Sequence, residues 1–292
     1  MSKVWLITGS ANGLGRSIAE AALRAGEKVV ATARQPQQLQ DLVGQYGDRV
    51  LAVKQDVTNA DDAVLAVKAA LDAFGRLDVL VNNAGYSRFG PFEQISDADF
   101  KGIVDTCFYG VIYTTRAALP VMRKQRSGVI FQVSSVGGRV TRPGNSPYHA
   151  AKWAVSGFSE ALAQETAAFG VKVCSLEPGG IRTNWGKSAS AELPSVLPDY
   201  EESVGKVLER LGDYWGKEDS DPERIAQLIV RLSDERDLPP HLLLGNNAVA
   251  YHKRADAERQ ASTEKWLAFS KSVDFGAQTE PSQLSWSSDS PG

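Results

Sequence analysis

The stretch KVWLITGSANGLG, residues 3–15, decides the fold of this chain. An apolar strand-like run passes into a loop with three glycines, and residues 14–26 then carry apolar side chains at helical spacing. Glycines here let the backbone turn tightly and approach a pyrophosphate, whose charge the helix N-terminus attracts. A purely structural turn is the alternative. The position between a first strand and a first helix favours a dinucleotide-binding loop.

The order of strand and helix repeats along the chain. Runs rich in Val, Ile and Leu, with little alternation, are typical of strands buried on both faces. They occupy residues 28–33, 49–54, 77–82, 128–134, 171–176 and 241–245. Segments of helical period occupy residues 59–75, 96–125, 146–170, 221–235 and 251–271. The pattern predicts an α/β fold, with a Rossmann-type doubly wound parallel sheet in a single domain.

The predicted domain covers residues 1–271 and contains one irregular stretch. Residues 184–222 are rich in Ser, Pro, Gly and acids, and we interpret them as an insertion that closes over a substrate. Trp185 and Trp215 would then cover the bound ligand, or else they simply pack against the sheet. The Ser- and Pro-rich tail, residues 272–292, is expected to be disordered.

Composition excludes several classes of protein. A net charge of -3 argues against a nucleic-acid surface, which requires a basic face. With only two cysteines, Cys107 and Cys174, a secreted disulfide scaffold is not expected, and a cytoplasmic location is predicted. No apolar run reaches the roughly 18 residues of a membrane span. No metal site is expected.

The end of the second predicted strand bears on the choice of dinucleotide. In NAD-binding proteins an acid near this point hydrogen-bonds the adenosine ribose. Here Ala33 stands in that place and Arg34 follows, and an arginine can pair with a 2'-phosphate instead. Arg16 either assists or is a solvated helix residue. NADP(H) is favoured, and NAD(H) remains possible.

Five motifs in order give the chain a specific resemblance. They are TGSANGLG at 8–15, NNAG at 82–85, SS at 134–135, YHAAK at 148–152 and PGGIRT at 178–183. Over residues 3 to 185 the chain resembles the short-chain dehydrogenase/reductases of the compact type. The resemblance implies that Ser135 orients a substrate carbonyl, Tyr148 protonates its oxygen, and Lys152 holds the nicotinamide ribose and lowers the tyrosine pKa.

The resemblance also implies a set of cofactor-binding residues that includes Tyr148 and Lys152. The others are Gly9, Ser10, Asn12, Gly13, Leu14, Gly15, Arg34, Asp56, Val57, Asn82, Asn83, Ala84, Gly85, Pro178, Gly179, Ile181 and Thr183. It further implies a homodimer or homotetramer.

The pairing of Tyr148 with Lys152 makes chemical sense without the resemblance. A lysine four residues along a helix lies on the same face, and its ammonium favours the phenolate of a tyrosine whose ordinary pKa is about 10. The alternative is an amphipathic helix with a surface lysine. The other motifs favour the catalytic pair.

One position departs from the family pattern. Relatives carry an asparagine where VDTCFYG, residues 104–110, places Cys107, and the asparagine helps to hold a water that extends the proton relay from the lysine. A thiol cannot copy an amide. A slowed relay, a pseudoenzyme and a one-residue error of register are the three interpretations, and packing is the usual fate of a buried lone cysteine.

The residues expected around the carbonyl are mostly apolar or aromatic: Tyr86, Phe89, Gly137, Val140, Pro147 and Trp185. Arg139 and Arg142 are the basic residues that could enter this region. The favoured function is an NADPH-dependent carbonyl reductase or alcohol dehydrogenase for an uncharged hydrophobic ketone, aldehyde or secondary alcohol. A steroid, terpenoid or aryl ketone is conceivable. The alternative is a regulatory protein that binds NADP(H) without turnover.

Overall fold

The computed structural model describes residues 2–190, 195–277 and 279–284. Part of the tail expected to be disordered, residues 278 and 285–292, lies outside the described residues. The chain divides into two compact units, residues 1–249 and 250–292. The first unit contains the sheet and all the predicted site residues. The assignment of residues 1–271 to one catalytic domain stays a prediction.

The sheet has seven parallel strands in the order β3-β2-β1-β4-β5-β6-β7. Their bounds are β1 Val4–Ile7, β2 Lys28–Ala33, β3 Val50–Lys54, β4 Val79–Asn82, β5 Gly128–Val133, β6 Val171–Pro178 and β7 His241–Leu244. The order reverses between β1 and β4, which opens a crevice at their carboxyl ends. Ligands of doubly wound sheets bind at such a switch point. The predicted Rossmann-type fold is confirmed.

Helices of the first unit cover both faces of the sheet. The helices of the described residues are α1 Gly13–Arg24, α2 Gln40–Tyr46, α3 Ala60–Phe74, α4 Asp97–Val104, α5 Gly110–Gln125, α6 Ser146–Thr166, α7 Trp185–Ala189, α8 Lys206–Tyr214, α9 Pro222–Leu232, α10 Asn246–Lys265 and α11 Leu267–Lys271. Side chains of β1 alternate between two cores, because successive residues of a strand point to opposite faces. Trp5 and Ile7 pack with α1 and α9, whereas Val4 and Leu6 pack with α3, α5 and α6.

A π turn over Asp105–Tyr109 separates α4 from α5. The sequence predicts one helix over residues 96–125, so this interruption is a difference from the prediction. Its buried residue is Cys107. Single π turns inside helices often occur at functional sites, and this one places the cysteine beside the predicted catalytic residues.

Within the described ranges the longer helices are too polar to cross a lipid bilayer, and the apolar ones are too short.

Candidate functional site

The glycine loop joins β1 to α1 at the switch point of the sheet. Gly9 has φ 68°, a conformation that favours glycine, and a Cβ on Gly15 would overlap the Asn83 amide and the Gly9 carbonyl. Asn12 precedes α1 without a side-chain capping bond, and the first turn carries no acid. The leading amides of α1 therefore remain free to bind an anion.

The segment after β4 closes this loop from the other side. Asn83 Nδ2 donates to the carbonyls of Thr8 at 2.9 Å and Gly9 at 3.2 Å. The backbone amides of Asn83 and Ala84 both donate to Thr8 Oγ1. Asn82 lies elsewhere, because its buried amide donates to Thr115 and Gln132 under the sheet. The amide of Asn82 therefore ties β4 to β5 and α5 and does not face the crevice.

The predicted adenosine residues lie at the carboxyl ends of β2 and β3. Arg34 is exposed directly after β2, and its charge helps to lower the pKa of Asp56. Burial acts to raise that pKa, but hydrogen bonds from Thr58 and the nearby cations outweigh it. Arg16 is paired with Glu20 at 2.6 Å and with Asp41. Arg34 is thus the basic residue better placed for a 2'-phosphate.

The remaining predicted cofactor residues lie along the same edge of the sheet. Thr183, in the loop after β6, comes within 3.8 Å of the place where a Cβ on Gly13 would stand. Gly85 borders both Cys107 and Lys152. The others are placed along this edge in the glycine loop and the first turn of α1, after β3, and at or after the end of β6: Ser10, Leu14, Val57, Pro178, Gly179 and Ile181.

The three predicted catalytic side chains meet between β5 and α6. Ser135 Oγ accepts from the Gly137 amide at 3.0 Å, and its hydroxyl is close enough to Tyr148 to act on the pKa of the phenol. Lys152, one turn after Tyr148 on α6, is buried, and its Nζ donates to the Val133 carbonyl at 2.7 Å. The same Nζ lies 5.5 Å from the centroid of the Tyr148 ring. One hydroxyl pair and one ammonium are therefore held by packed secondary structure.

The electrostatics of this trio differ from the expectation. Burial raises the pKa of Tyr148, Cys107 adds to the increase, and the hydrogen bond from Ser135 opposes it. Burial also lowers the pKa of Lys152. The sequence predicts a tyrosine pKa lowered by Lys152. In this arrangement the ammonium faces the Val133 carbonyl, and the phenol keeps its proton at neutral pH.

Cys107 is fully buried on the π turn. Its thiol donates to the Tyr86 carbonyl at 3.3 Å, and burial raises its pKa. Its Sγ and Lys152 Nζ both lie within 4 Å of the place where a Cβ on Gly85 would stand. The sulfur therefore borders the lysine, and it is a neutral thiol.

Aromatic rings of the insertion cover the hydroxyl pair. The Trp185 ring lies 5.4 Å from the Tyr148 ring and 6.4 Å from Phe89. Trp215 packs on Phe89 at 6.1 Å and donates from its indole to Ser190. The predicted pocket residue Trp185 is thus next to Tyr148, and Phe89 packs against Trp185, whereas Tyr86 is 41% exposed.

The geometry agrees with what comparison with known proteins finds. The family model described as short chain dehydrogenase matches residues 3–194. The chain belongs to the short-chain dehydrogenase family. It is 48% identical over 271 residues to the oxidoreductase BOA17 of Botryotinia fuckeliana, an alignment that covers 92% of this chain and 98% of that protein. A short-chain dehydrogenase structure from Streptomyces avermitilis superposes with a TM-score of 0.86 and 37% identity, covering 94% and 100% of the two chains.

Two further family structures contain a nicotinamide cofactor. A Burkholderia phymatum member in complex with NAD has a TM-score of 0.77 and 26% identity, and covers 89% of this chain and 95% of its own. An alcohol dehydrogenase from Thermococcus sibiricus complexed with 5-hydroxy-NADP has a TM-score of 0.68 and 26% identity, and covers 84% and 96%. The family thus binds both dinucleotides. In this chain the cradle at Gly15, the free amides of α1 and the exposed Arg34 fit such a group.

Two polar residues near the site were not predicted from the sequence. Gln94 makes two hydrogen bonds to the insertion. Its Nε2 donates to the Ser195 carbonyl at 2.8 Å, and its Oε1 accepts from the Leu197 backbone amide at 3.1 Å. Nothing in the sequence signals this contact. Glu177 is fully buried at the end of β6. The sequence feature that could have identified Glu177 is an acidic residue inside an otherwise apolar strand.

Proposed function

We propose that this oxidoreductase is an NADP(H)-dependent carbonyl reductase or alcohol dehydrogenase. The observation that carries the proposal is the meeting of three side chains: the Ser135 hydroxyl is close enough to oppose the rise in the pKa of Tyr148, and the Nζ of the buried Lys152 lies 5.5 Å from the centroid of the Tyr148 ring. A pair of hydroxyls can hold one carbonyl oxygen, and a buried ammonium beside them can replace the proton that the pair gives up.

The chemistry that a bound NADPH supplies is a hydride for the carbonyl carbon. Ser135 and Tyr148 both hydrogen-bond the carbonyl oxygen and so orient it. Because burial raises the pKa of Tyr148, the phenol is protonated at neutral pH and can give its proton to the oxygen as the alcohol forms. Lys152 then returns a proton to the phenolate. Its lowered pKa makes the ammonium a better acid than an exposed lysine.

Arg34 supports NADP(H) over NAD(H). Its guanidinium is exposed at the end of β2, where a 2'-phosphate would pair with it through parallel hydrogen bonds. Ala33 precedes it, so the acid that binds a ribose hydroxyl in NAD-binding proteins is absent from that position.

The walls of the site support an uncharged hydrophobic substrate. Trp185 gives an apolar surface against Tyr148, and Phe89 and Trp215 pack behind it. Of the two arginines near this region, Arg139 is paired with Glu177 and Arg142 lies over the Phe89 ring at 5.8 Å. A ketone, aldehyde or secondary alcohol with a flat apolar body suits these contacts.

Residues 184–222 act in this proposal as a lid. The described part of the insertion packs its own apolar cluster, which includes Val204, Leu208 and Leu211, around Phe89. Opening of this segment admits the substrate, and closure excludes water from the hydroxyl pair. We further propose a homodimer or homotetramer, in line with the family. We also propose a cytoplasmic location, because both cysteines are buried and form no disulfide.

The test is loss of NADPH absorbance with a panel of apolar ketones and aldehydes, repeated with NADH. Tyr148→Phe should lower kcat about 10²- to 10⁴-fold, the usual contribution of a general acid, with NADPH affinity little changed. Tyr251→Phe, at an exposed tyrosine far along the chain, is the matched control. Turnover that survives Tyr148→Phe would contradict the proposed mechanism, and faster turnover with NADH would contradict the cofactor assignment.

A second candidate function rests on Cys107. Its thiol is bonded to the Tyr86 carbonyl and its pKa is raised by burial, so it offers Lys152 little help in proton transfer. In that case the protein binds NADP(H) as a regulatory sensor. Tight NADPH binding with no turnover on any carbonyl would favour this function.

A further inference from the structure

Glu177 places a carboxylate in the interior behind the catalytic residues. Its exposed fraction is 0%, although it stands directly before Pro178 at the carboxyl end of β6. A buried carboxylate is costly unless cations and donors surround it. Two partners of this carboxylate lie on elements that carry catalytic residues, and a third lies on β7. Ser175 Oγ, on β6 itself, also donates to Glu177 Oε1 at 3.3 Å.

The first partner fixes the segment after the catalytic serine. Arg139 Nε lies 3.3 Å from Glu177 Oε2. Arg139 ends the short turn that begins at Ser135, and the amides of residues 138–140 bond back to Ser135 and Val136. The ion pair therefore ties the turn that positions the Ser135 hydroxyl to the end of β6.

The second partner fixes the helix of the proton donor. Ser156 Oγ, one turn beyond Lys152 on α6, lies 3.4 Å from Glu177 Oε1 and 3.4 Å from Ser134 Oγ. Ser134 Oγ in turn donates to the Lys152 carbonyl at 3.2 Å. These hydrogen bonds connect the carboxylate to the backbone of the lysine.

The third partner is a histidine that can change its charge near neutral pH. His241 Nδ1, at the start of β7, lies 2.8 Å from Glu177 Oε1, and its Nε2 lies 3.2 Å from Glu160 on α6. The hydrogen bond to Glu177 raises the pKa of His241, burial opposes the increase, and Glu160 adds to it. Arg139, the other charged group that faces the imidazole, lowers it.

We propose that Glu177 is a positioning residue for the reaction proposed above, and that the imidazolium of His241 sets how firmly it holds the Ser135 turn. The inference rests on the proposed function. Glu177 is ion-paired to the Ser135 turn through Arg139 and hydrogen-bonded to α6 through Ser156, so it fixes the distance between Ser135 and Tyr148.

Protonation of His241 strengthens this arrangement. With both ring nitrogens protonated and donating to Glu177 and Glu160, the imidazolium balances the charge of Glu177 together with Arg139. As pH rises through the raised pKa of His241, one cation is lost and Arg139 alone balances the carboxylate. The turn after Ser135 then loosens, and kcat falls while the glycine loop, on another part of the sheet edge, is unaffected.

The test uses the full chain with Glu177→Gln, His241→Gln and the control Glu165→Gln, an exposed glutamate of α6. Hydrogen exchange of peptides covering residues 136–140 reports on the turn without any turnover. Exchange there should be about tenfold faster in Glu177→Gln, and unchanged in the glycine loop. A merely structural residue would instead speed exchange throughout the chain.

The pH dependence of kcat is the second readout. The ratio of wild-type kcat to His241→Gln kcat should be about fivefold at low pH, where His241 is protonated, and should approach one as pH rises through the raised pKa of His241. The KM for NADPH should be the same in the wild type and in His241→Gln at each pH. Glu165→Gln should match the wild type at each pH.

The outcomes separate the two claims. A constant ratio across pH, or unchanged exchange in residues 136–140, overturns the role of Glu177 while Tyr148-dependent turnover leaves the proposed function standing. A wild type that binds NADPH but reduces no carbonyl refutes the proposed function, and the positioning role with it. Faster hydrogen exchange confined to residues 136–140, together with a kcat ratio that depends on pH, supports both the proposed function and the positioning role of Glu177.

Discussion

Replacing Cys107 by asparagine should raise the turnover of the reductase that we propose. The thiol makes one weak hydrogen bond, 3.3 Å to the Tyr86 carbonyl, and borders Lys152 beside Gly85. An amide can donate to the same carbonyl and also offer its oxygen to the ammonium. One ordinary hydrogen bond contributes about 1 kcal/mol. The same free energy removed from the barrier of a rate-limiting proton return gives about a fivefold increase in kcat.

The assay is steady-state NADPH oxidation with the best carbonyl of the panel, next to thermal unfolding of each variant. Asparagine has two more heavy atoms than cysteine, and the site is fully buried, so a loss of Tm is expected. Cys107→Ser, which lacks the second polar group of the amide, is the control and should leave kcat within about twofold. An asparagine variant that folds as the wild type does, yet turns over no faster, refutes the reasoning.

Three further predictions concern the cofactor, the insertion and stability. Gly15→Ala should weaken NADPH binding in a fluorescence titration by more than about tenfold, because the new methyl group displaces Asn83 from the loop; unchanged affinity would contradict the proposed cradle. Gln94→Leu removes two hydrogen bonds to residues 195–197, each contributing about 1 kcal/mol, and should speed limited proteolysis there relative to the wild type. The raised pKa of His241 means that its proton stabilises the fold below about pH 6.5 and less as pH rises through the folded value, so the Tm deficit of His241→Gln should shrink with pH.

The strands lie within two residues of their predicted ends. Runs of Val, Ile and Leu buried on both faces leave a strong local signal. The helix α2, Gln40–Tyr46, was not predicted, because it buries only Leu42 and contains Gly44. The π turn at Asp105–Tyr109 was missed for a different reason, since a one-residue change of hydrogen-bond partner leaves the apolar pattern intact.

Contacts between residues of the family motifs can be predicted from the sequence, whereas contacts between other distant elements cannot. Ser135 and Tyr148 lie thirteen positions apart, and their family spacing predicts that they meet. Glu177 and His241 lie 64 positions apart and meet only because β7 pairs with β6 in register. For Arg16 the sequence could not separate a cofactor contact from a solvated helix residue. In the structure Arg16 forms ion pairs with Glu20 and Asp41.

The contact between Trp185 and Tyr148 has a practical consequence. Two indoles, Trp185 and Trp215, lie 6.4 Å apart in the segment that covers the site, so this part of the chain carries its own fluorophores. Their emission depends on the rings around them, and separation of Trp185 from the Tyr148 ring at 5.4 Å changes that environment. Rapid mixing with NADPH or substrate can therefore measure the rate of the lid movement proposed above in unlabelled protein. Trp185→Phe identifies the share of the signal that belongs to it.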